Sequence, residues 1–231
     1  KRNASARRTY GWKRSTILAA LFNALLLLFG VGAIFLEAIK RFSEPAPVAG
    51  GTVIWVAGLG ILVNGVTAML FMSGRKSDLN VRGAFLHMAA DAAVSAGVMI
   101  AGAVILFTGW PWLDPVVSIA VGVLILVSTW SLFRDSLNLS LDAVPVEIDP
   151  EAVRAYFTAL PEVTDIHHLH IWPLSTTEVA LTVHLVKKDP ALDDDLLARI
   201  SDDLHHKFAI NHPTIQFEGS RENCADPGEM A

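Results

Sequence analysis

GAFLHMAADAAVSAGVMIAGAVILF, residues Gly83 to Phe107, decides the fold, because this run is apolar enough and long enough to cross a bilayer as a helix. Two ionisable side chains, His87 and Asp91, interrupt it four residues apart, a spacing that puts both on one helix face. Ionisable groups at this depth are costly and usually line an ion site or a proton pathway. Imidazole nitrogen and carboxylate oxygen suit zinc and its neighbours. The alternative is a His–Asp hydrogen bond that only joins two helices.

The composition is that of a membrane protein with a soluble part. Apolar residues make up 52% of the chain and charged residues 18%, and the mean hydropathy is +0.45. Four stretches reach spanning length, about 20 residues, and they are residues 15–39, 52–72, 83–107 and 113–133. Charges recur regularly from Pro145 onward. We therefore predict a transmembrane domain over residues 1–144, a soluble α+β domain over 145–218 and a tail over 219–231.

The basic residues predict how the chain is oriented in the bilayer. Cytoplasmic loops carry an excess of lysine and arginine. Such residues precede the first span and separate spans two and three, and they are Lys1, Arg2, Arg7, Arg8, Lys13, Arg14, Arg75, Lys76 and Arg82. The loop between spans three and four, TGWPWLD, has none, whereas Lys40 and Arg41 after the first span run against the pattern. Both ends of the chain and the soluble domain are therefore expected in the cytoplasm.

The soluble part follows the order helix, strand, strand, helix, strand. Its elements are predicted at residues 149–160, 163–172, 178–187, 190–208 and 214–218. Asp149 can cap the first helix and Pro150 suits its first position, while alternating apolar residues indicate the strands. We expect a small α+β sandwich in which helices cover one face of a single sheet.

Seven of the eight histidines lie in this soluble part. Alternation puts His184 on the polar face of the second strand and Glu218 on the polar face of the last, so the two can converge. The same rule puts His168 and His170, rather than His167, on the polar face of the first strand. Clustered imidazoles on neighbouring strands favour a metal site.

Several separated motifs resemble the cation diffusion facilitators, a family of zinc exporters. They are TYGWKRSTILAALFNA (9–24), NVRGAFLHMAAD (80–91), LDAVP (141–145) and the series HHLHIW, VHL and HPTIQFE in the soluble part. The resemblance covers residues 10–218. It implies a homodimeric, proton-coupled exporter of divalent metal in a bacterial inner (plasma) membrane. It also implies six spans, a four-ligand transport site, and a cytoplasmic metallochaperone-like (ferredoxin-like) domain that binds further zinc.

The resemblance also assigns site residues. His87 and Asp91 match half of the transport site, and the cytoplasmic zinc ligands correspond to His167, His184, His212 and Glu218, with His170 as the alternative to His167. Arg14 and Asp142 resemble a charged pair that ties the membrane helices together. Four spans rather than six imply that the first two are lacking. Trp12 stands where some members have a loop histidine, and Cys224 has no second cysteine beside it.

The sequence therefore predicts proton-coupled efflux of divalent metal, most of all Zn²⁺. The alternative is a membrane-anchored protein that binds or senses metal without transporting it. An enzyme is not expected, because HExxH, nucleophile-elbow and P-loop motifs are absent from the sequence. Nucleic acid is not an expected partner, because the soluble part is acidic. Imidazole at position 87 argues against manganese, which prefers oxygen ligands.

Overall fold

The computed structural model describes residues 4–44, 50–72, 79–189 and 191–220, with residues 79–83 described by their backbone alone. The chain divides into two compact units. One unit comprises residues 1–25 and 130–231, and the other comprises residues 26–129. The predicted tail at 219–231, including Cys224, lies outside the described residues from position 221 onward.

Four long apolar helices correspond to the four predicted spans: α1 (Ser15–Ser43), α2 (Gly50–Phe71), α3 (Leu79–Thr108) and α4 (Leu113–Ser140). Each is long and apolar enough to cross a membrane. The last helix continues beyond the predicted end at Phe133, because the polar stretch RDSLNLS contains no proline or glycine to stop it. The chain leaves this helix at Asp142, which adopts a left-handed conformation with φ of 62°.

Helices α2 and α3 approach each other closely at glycines. A Cβ atom at Gly60 would lie 2.8 Å from the Ser95 Oγ, and one at Gly50 would lie 2.7 Å from the Leu106 Cγ. Only glycine allows this backbone approach without moving the neighbour, which is the usual role of small residues between membrane helices. Packing of α2 against α3 thus fixes the helix that carries His87 and Asp91.

An ion-pair network surrounds Arg41 near the end of α1. Its Nη1 lies 2.8 Å from the Asp114 Oδ2 at the start of α4, and its Nε lies 3.0 Å from the Glu37 Oε1 one turn earlier in α1. Two carboxylates therefore compensate the guanidinium. The orientation rule counts lysine and arginine rather than net charge, so Arg41 still runs against the pattern.

The soluble part consists of α5 (Pro150–Thr158), β1 (Val163–Pro173), β2 (Val179–Lys187), α6 (Asp194–Phe208) and β3 (His212–Glu218). The sheet order is β1-β2-β3, with β1 antiparallel and β3 parallel to β2. Apolar side chains of α5 and α6, among them Phe157 and Ile200, pack on one sheet face with Val183 and Leu185. This arrangement confirms the expected single sheet with helices on one face, and it leaves the other face to polar side chains.

The observed ends of the elements have local causes. The Asp149 side chain accepts a hydrogen bond from the Glu151 N–H and caps α5 as predicted. Helix α6 begins at Asp194 rather than at position 190, because the Asp193 side chain accepts from the Leu196 N–H and caps it. The last strand begins at His212 rather than Thr214, since His212 already pairs with Ala180.

Candidate metal centre

A β-bulge in β1 places the first histidine of the site. His167 pairs with His184 and His170 pairs with Thr182, so one extra residue lies on β1 between these two pairs. His168 takes up the extra length with a φ of 50°, a conformation that a bulge accommodates. Simple alternation along β1 therefore fails at this point. His167 lies opposite His184, and its ring centroid is 5.1 Å from that of His184.

The site itself consists of His167, His184 and Glu218, each of which offers one ligand atom within 4.8 Å of the others. The His167 Nε2 lies 3.1 Å from the Glu218 Oε2, and the His184 Nδ1 lies 2.8 Å from the Glu218 Oε1. Zinc holds tetrahedral ligand atoms roughly 3.3 Å apart, so small side-chain rotations would bring these three atoms onto one ion. Two imidazoles and a carboxylate form a donor set that suits zinc.

Burial distinguishes this group from an ordinary surface cluster. The side chains of His167 and Glu218 are only 2% and 6% exposed. Within the described part of the chain, both ring nitrogens of His167 and the Glu218 Oε2 are buried and make no well-aligned hydrogen bond, although His167 Nε2 and Glu218 Oε2 lie 3.1 Å apart. A buried polar atom left unsatisfied costs roughly 1–3 kcal/mol. A cation bound between these atoms would satisfy them, so they fit a metal ion.

A neighbouring amide orients the carboxylate. The Gln216 Nε2 donates a hydrogen bond of 2.8 Å to the Glu218 Oε1, and both residues lie on the polar face of β3. Such a bond fixes the rotation of a ligand and leaves its second oxygen for the metal. Sequence reasoning did not single out Gln216, although its position two residues before Glu218 on one strand was the available signal.

Two further histidines surround the group. The His168 ring centroid lies 5.0 Å from that of His184 and 6.2 Å from that of His170. His168 is buried, whereas His170 is exposed. Neither belongs to the group of three convergent ligand atoms. Of the two predicted alternatives for the first strand, it is His167 rather than His170 that the structure brings to His184 and Glu218.

His212 lies apart from this group at the start of β3. Its Nε2 is 2.9 Å from the Glu178 Oε2 and 3.3 Å from the Lys13 Nζ. Lys13 also forms an ion pair with Glu178, and Lys13 together with His212 lowers the pKa of the Glu178 carboxyl below its ordinary value. Within this protomer the structure therefore does not bring His212 to the other predicted ligands, and its role as a ligand stays a prediction.

The membrane pair lies on α3 as the spacing predicts. The His87 Nε2 is 3.6 Å from the Asp91 Oδ2, and the two side chains are 70% and 41% exposed on the described protomer. Asp91 lies about 4 Å along the axis from the middle of α3, at about 1.5 Å per residue. The two groups thus present a nitrogen and an oxygen donor side by side, directed away from the packed surface of their helix.

The charged pair suggested by the resemblance is present. Arg14, just before α1, forms an ion pair with Asp142, just after α4. Both side chains are about half exposed, where an isolated pair contributes little to stability. Its part in tying the membrane helices together stays a prediction.

Comparison with known proteins gives the family. Residues 1–139 match the family model described as the cation efflux transmembrane domain, and residues 145–220 match the model described as the cation efflux protein, cytoplasmic domain. The chain belongs to the cation efflux family and is an integral membrane protein. The match to the transmembrane-domain model begins at residue 1, so it does not support the expectation that two earlier spans are lacking.

Relatives of similar sequence are bacterial metal transporters. The chain is 41% identical to the metal cation efflux system protein CzcD of Cupriavidus metallidurans over 94% of this chain and 69% of that protein. It is 40% identical to the zinc transporter ZitB of Escherichia coli over 94% of this chain and 70% of ZitB. A cadmium, cobalt and zinc/H(+)-K(+) antiporter of Bacillus subtilis is 36% identical over 96% and 73%.

Among solved structures, the metal-bound C-terminal domain of the C. metallidurans CzcD transporter is similar in sequence. It is 40% identical, and the match covers 31% of this chain and 99% of that domain, with a TM-score of 0.28.

Proposed function

We propose that this protein exports divalent metal, zinc above all, across a bacterial inner membrane in exchange for protons. The observation that carries the proposal is the His87–Asp91 pair within the membrane-spanning part of α3, because a nitrogen and an oxygen donor on one face there are costly unless they serve an ion or proton pathway. The names of the relatives, which include zinc transporters and an antiporter, support the same reading.

Metal binding and proton binding are coupled because both use the same two side chains. Metal requires a neutral imidazole and an ionised carboxylate, so protons compete with the ion for His87 and Asp91. Metal loads from the cytoplasm, and protons from outside displace it after the site has opened outward. Two ligands leave a tetrahedral ion two positions short, so the ion needs two further donors besides His87 and Asp91. Repacking of helices about a fixed site is the usual way such transporters alternate access.

The soluble domain regulates transport in this proposal. It lies in the cytoplasm, as the basic residues before α1 predict. The element order helix, strand, strand, helix, strand corresponds to a ferredoxin-like pattern without its first strand. Zinc at His167, His184 and Glu218 stabilises one arrangement of two such domains in a homodimer, and His212 is a further ligand supplied when the dimer forms.

A second function is favoured by a separate observation. The His167–His184–Glu218 group lies entirely within the soluble domain, so a membrane-anchored metal sensor would need no flux through α3. The two functions differ in one measurable property. A transporter moves zinc into sealed vesicles, whereas a sensor binds zinc without moving it.

His87→Asp is expected to broaden the metal selectivity of the transporter toward manganese, a harder ion than zinc. Replacing the imidazole with a hard oxygen donor favours harder ions and weakens the preference for zinc. Uptake of zinc, cadmium, cobalt and manganese into proteoliposomes should be compared for the wild type and the variant. Absence of zinc uptake by the wild type would favour the sensor, and an unchanged order of ions in the variant would contradict coordination by His87.

A further inference from the structure

The segment before α1 forms a basic cavity of about 380 Å³ that is unrelated to either metal site. Residues that line it include Arg7, Arg8, Trp12 and Leu18. The first 14 residues of the chain contain six lysines and arginines and no aspartate or glutamate. A cavity with this surplus of positive charge attracts an anion, and its position immediately before a membrane span limits which anions can reach it.

Two of the cavity's four described cations are already compensated. Lys13 pairs with Glu178 and Arg14 pairs with Asp142. Arg7 and Arg8, by contrast, form no ion pair with any described residue. Their two positive charges are therefore the ones that remain available for a bound anion.

Arg8 is held in place by its surroundings. Its guanidinium carbon lies 3.9 Å from the centroid of the Trp12 ring, a cation–π distance. Its backbone N–H donates to the Ser5 carbonyl, and its carbonyl accepts from Ser5 and from Gly11. Gly11 has a φ of 68°, which glycine adopts without strain. A guanidinium stacked on an indole uses only its face, so its in-plane N–H groups remain available to oxygen anions. Two of these N–H groups can bind one phosphate together.

The backbone N–H groups at the start of α1 are not available to bind this anion. The Ser15 and Thr16 N–H groups donate to the Trp12 and Lys13 carbonyls, and the Leu18 N–H donates to the Arg14 carbonyl. These amides are therefore satisfied within the segment. An anion in the cavity would be recognised by the arginine side chains.

The apolar side of the cavity indicates what kind of anion it is. Trp12 is 42% exposed and Leu18 is 59% exposed, and Leu18 already belongs to the membrane helix α1. Tryptophan is enriched where a membrane meets water, and basic clusters beside a membrane span bind anionic lipids. We propose that this cavity binds the phosphate headgroup of an anionic phospholipid, with Arg7 and Arg8 on the phosphate and Trp12 and Leu18 on the lipid's apolar part.

Lipid binding to the purified full chain in detergent tests this site. Native mass spectrometry should measure the affinity for phosphatidylglycerol and for phosphatidylcholine. The wild type is expected to prefer phosphatidylglycerol, and the double variant R7Q/R8Q is expected to bind it about 30-fold more weakly, since each basic residue near a membrane contributes roughly a factor of five. Arg154→Gln, which removes an exposed arginine on α5, serves as the matched control and should keep the wild-type affinity.

The proposal would be overturned by equal affinity for the two lipids, by an equal loss in the Arg154 variant, or by displacement of phosphatidylglycerol by glycerol phosphate at similar concentration. The last result would make the cavity a site for small soluble anions. Arg8→Lys keeps the positive charge but removes the paired N–H donors of the guanidinium. This variant is therefore expected to bind phosphatidylglycerol with an affinity between those of the wild type and the double variant. Wild-type affinity in both the double variant and Trp12→Leu would place the lipid elsewhere.

Discussion

Asp91→Asn and His87→Ala are each expected to reduce zinc uptake into proteoliposomes to the level of vesicles without protein. Each change removes one of two adjacent donors, 3.6 Å apart, within the membrane-spanning part of α3, and a tetrahedral ion binds more weakly when it loses one of its protein ligands. Asparagine keeps the shape of aspartate and removes its charge, so its effect isolates the ionised carboxylate. Uptake should be followed with a zinc-sensitive dye inside the vesicles.

Thr67→Val is the matched control for these variants. It also removes a polar side chain from a membrane helix, but the Thr67 hydroxyl donates only to the Val63 carbonyl of its own helix. Zinc uptake by this variant should stay near the wild-type rate. Wild-type uptake in both His87→Ala and Asp91→Asn would contradict the transport site.

The isolated soluble domain, residues 145–231, is expected to lose most of its zinc-dependent stabilisation in the His184→Ala variant. Zinc at 100 times its Kd stabilises a folded protein by about 2.7 kcal/mol, which corresponds to roughly 10–20 °C in the Tm of a domain of this size. His184 supplies the central nitrogen, 2.8 Å from the Glu218 carboxylate. Differential scanning calorimetry with and without zinc measures the shift.

His206→Ala provides the control for this experiment. His206 is an exposed histidine on α6, paired with Asp202 one turn earlier and outside the metal group. Its loss should leave the zinc-dependent rise in Tm unchanged. Lowering the pH should weaken the rise in the wild type, because protons compete with zinc for imidazole nitrogen. A zinc response in His184→Ala equal to that of the wild type would show that the buried group is not the zinc site.

Hydropathy and periodicity predict the membrane spans and part of both candidate metal sites. The four spans follow from hydropathy and length, and the common face of His87 and Asp91 follows from a spacing of four in a helix. The convergence of His184 and Glu218 follows from alternation along two neighbouring strands. Each of these features depends on residue spacing within a single helix or strand, which can be read directly from the sequence.

The remaining features depend on contacts between distant segments. Alternation predicted the wrong face for His167, because the left-handed conformation of His168 adds a residue to β1 that no local signal announces. Lys13 lies 165 residues from its partner Glu178, so its contact with His212 could not be foreseen from spacing. Arg41 pairs with Asp114, 73 residues further along the chain, which is a contact that spacing does not predict.

Simultaneous measurement of zinc and protons tests the central claim most directly. Inverted proteoliposomes with an acidic interior should take up zinc while their interior becomes less acidic, and the zinc uptake rate should increase with the imposed pH gradient. Asp91→Asn should abolish both signals together. Zinc uptake that is independent of the pH gradient, or that persists in Asp91→Asn, would contradict proton-coupled export through the α3 site.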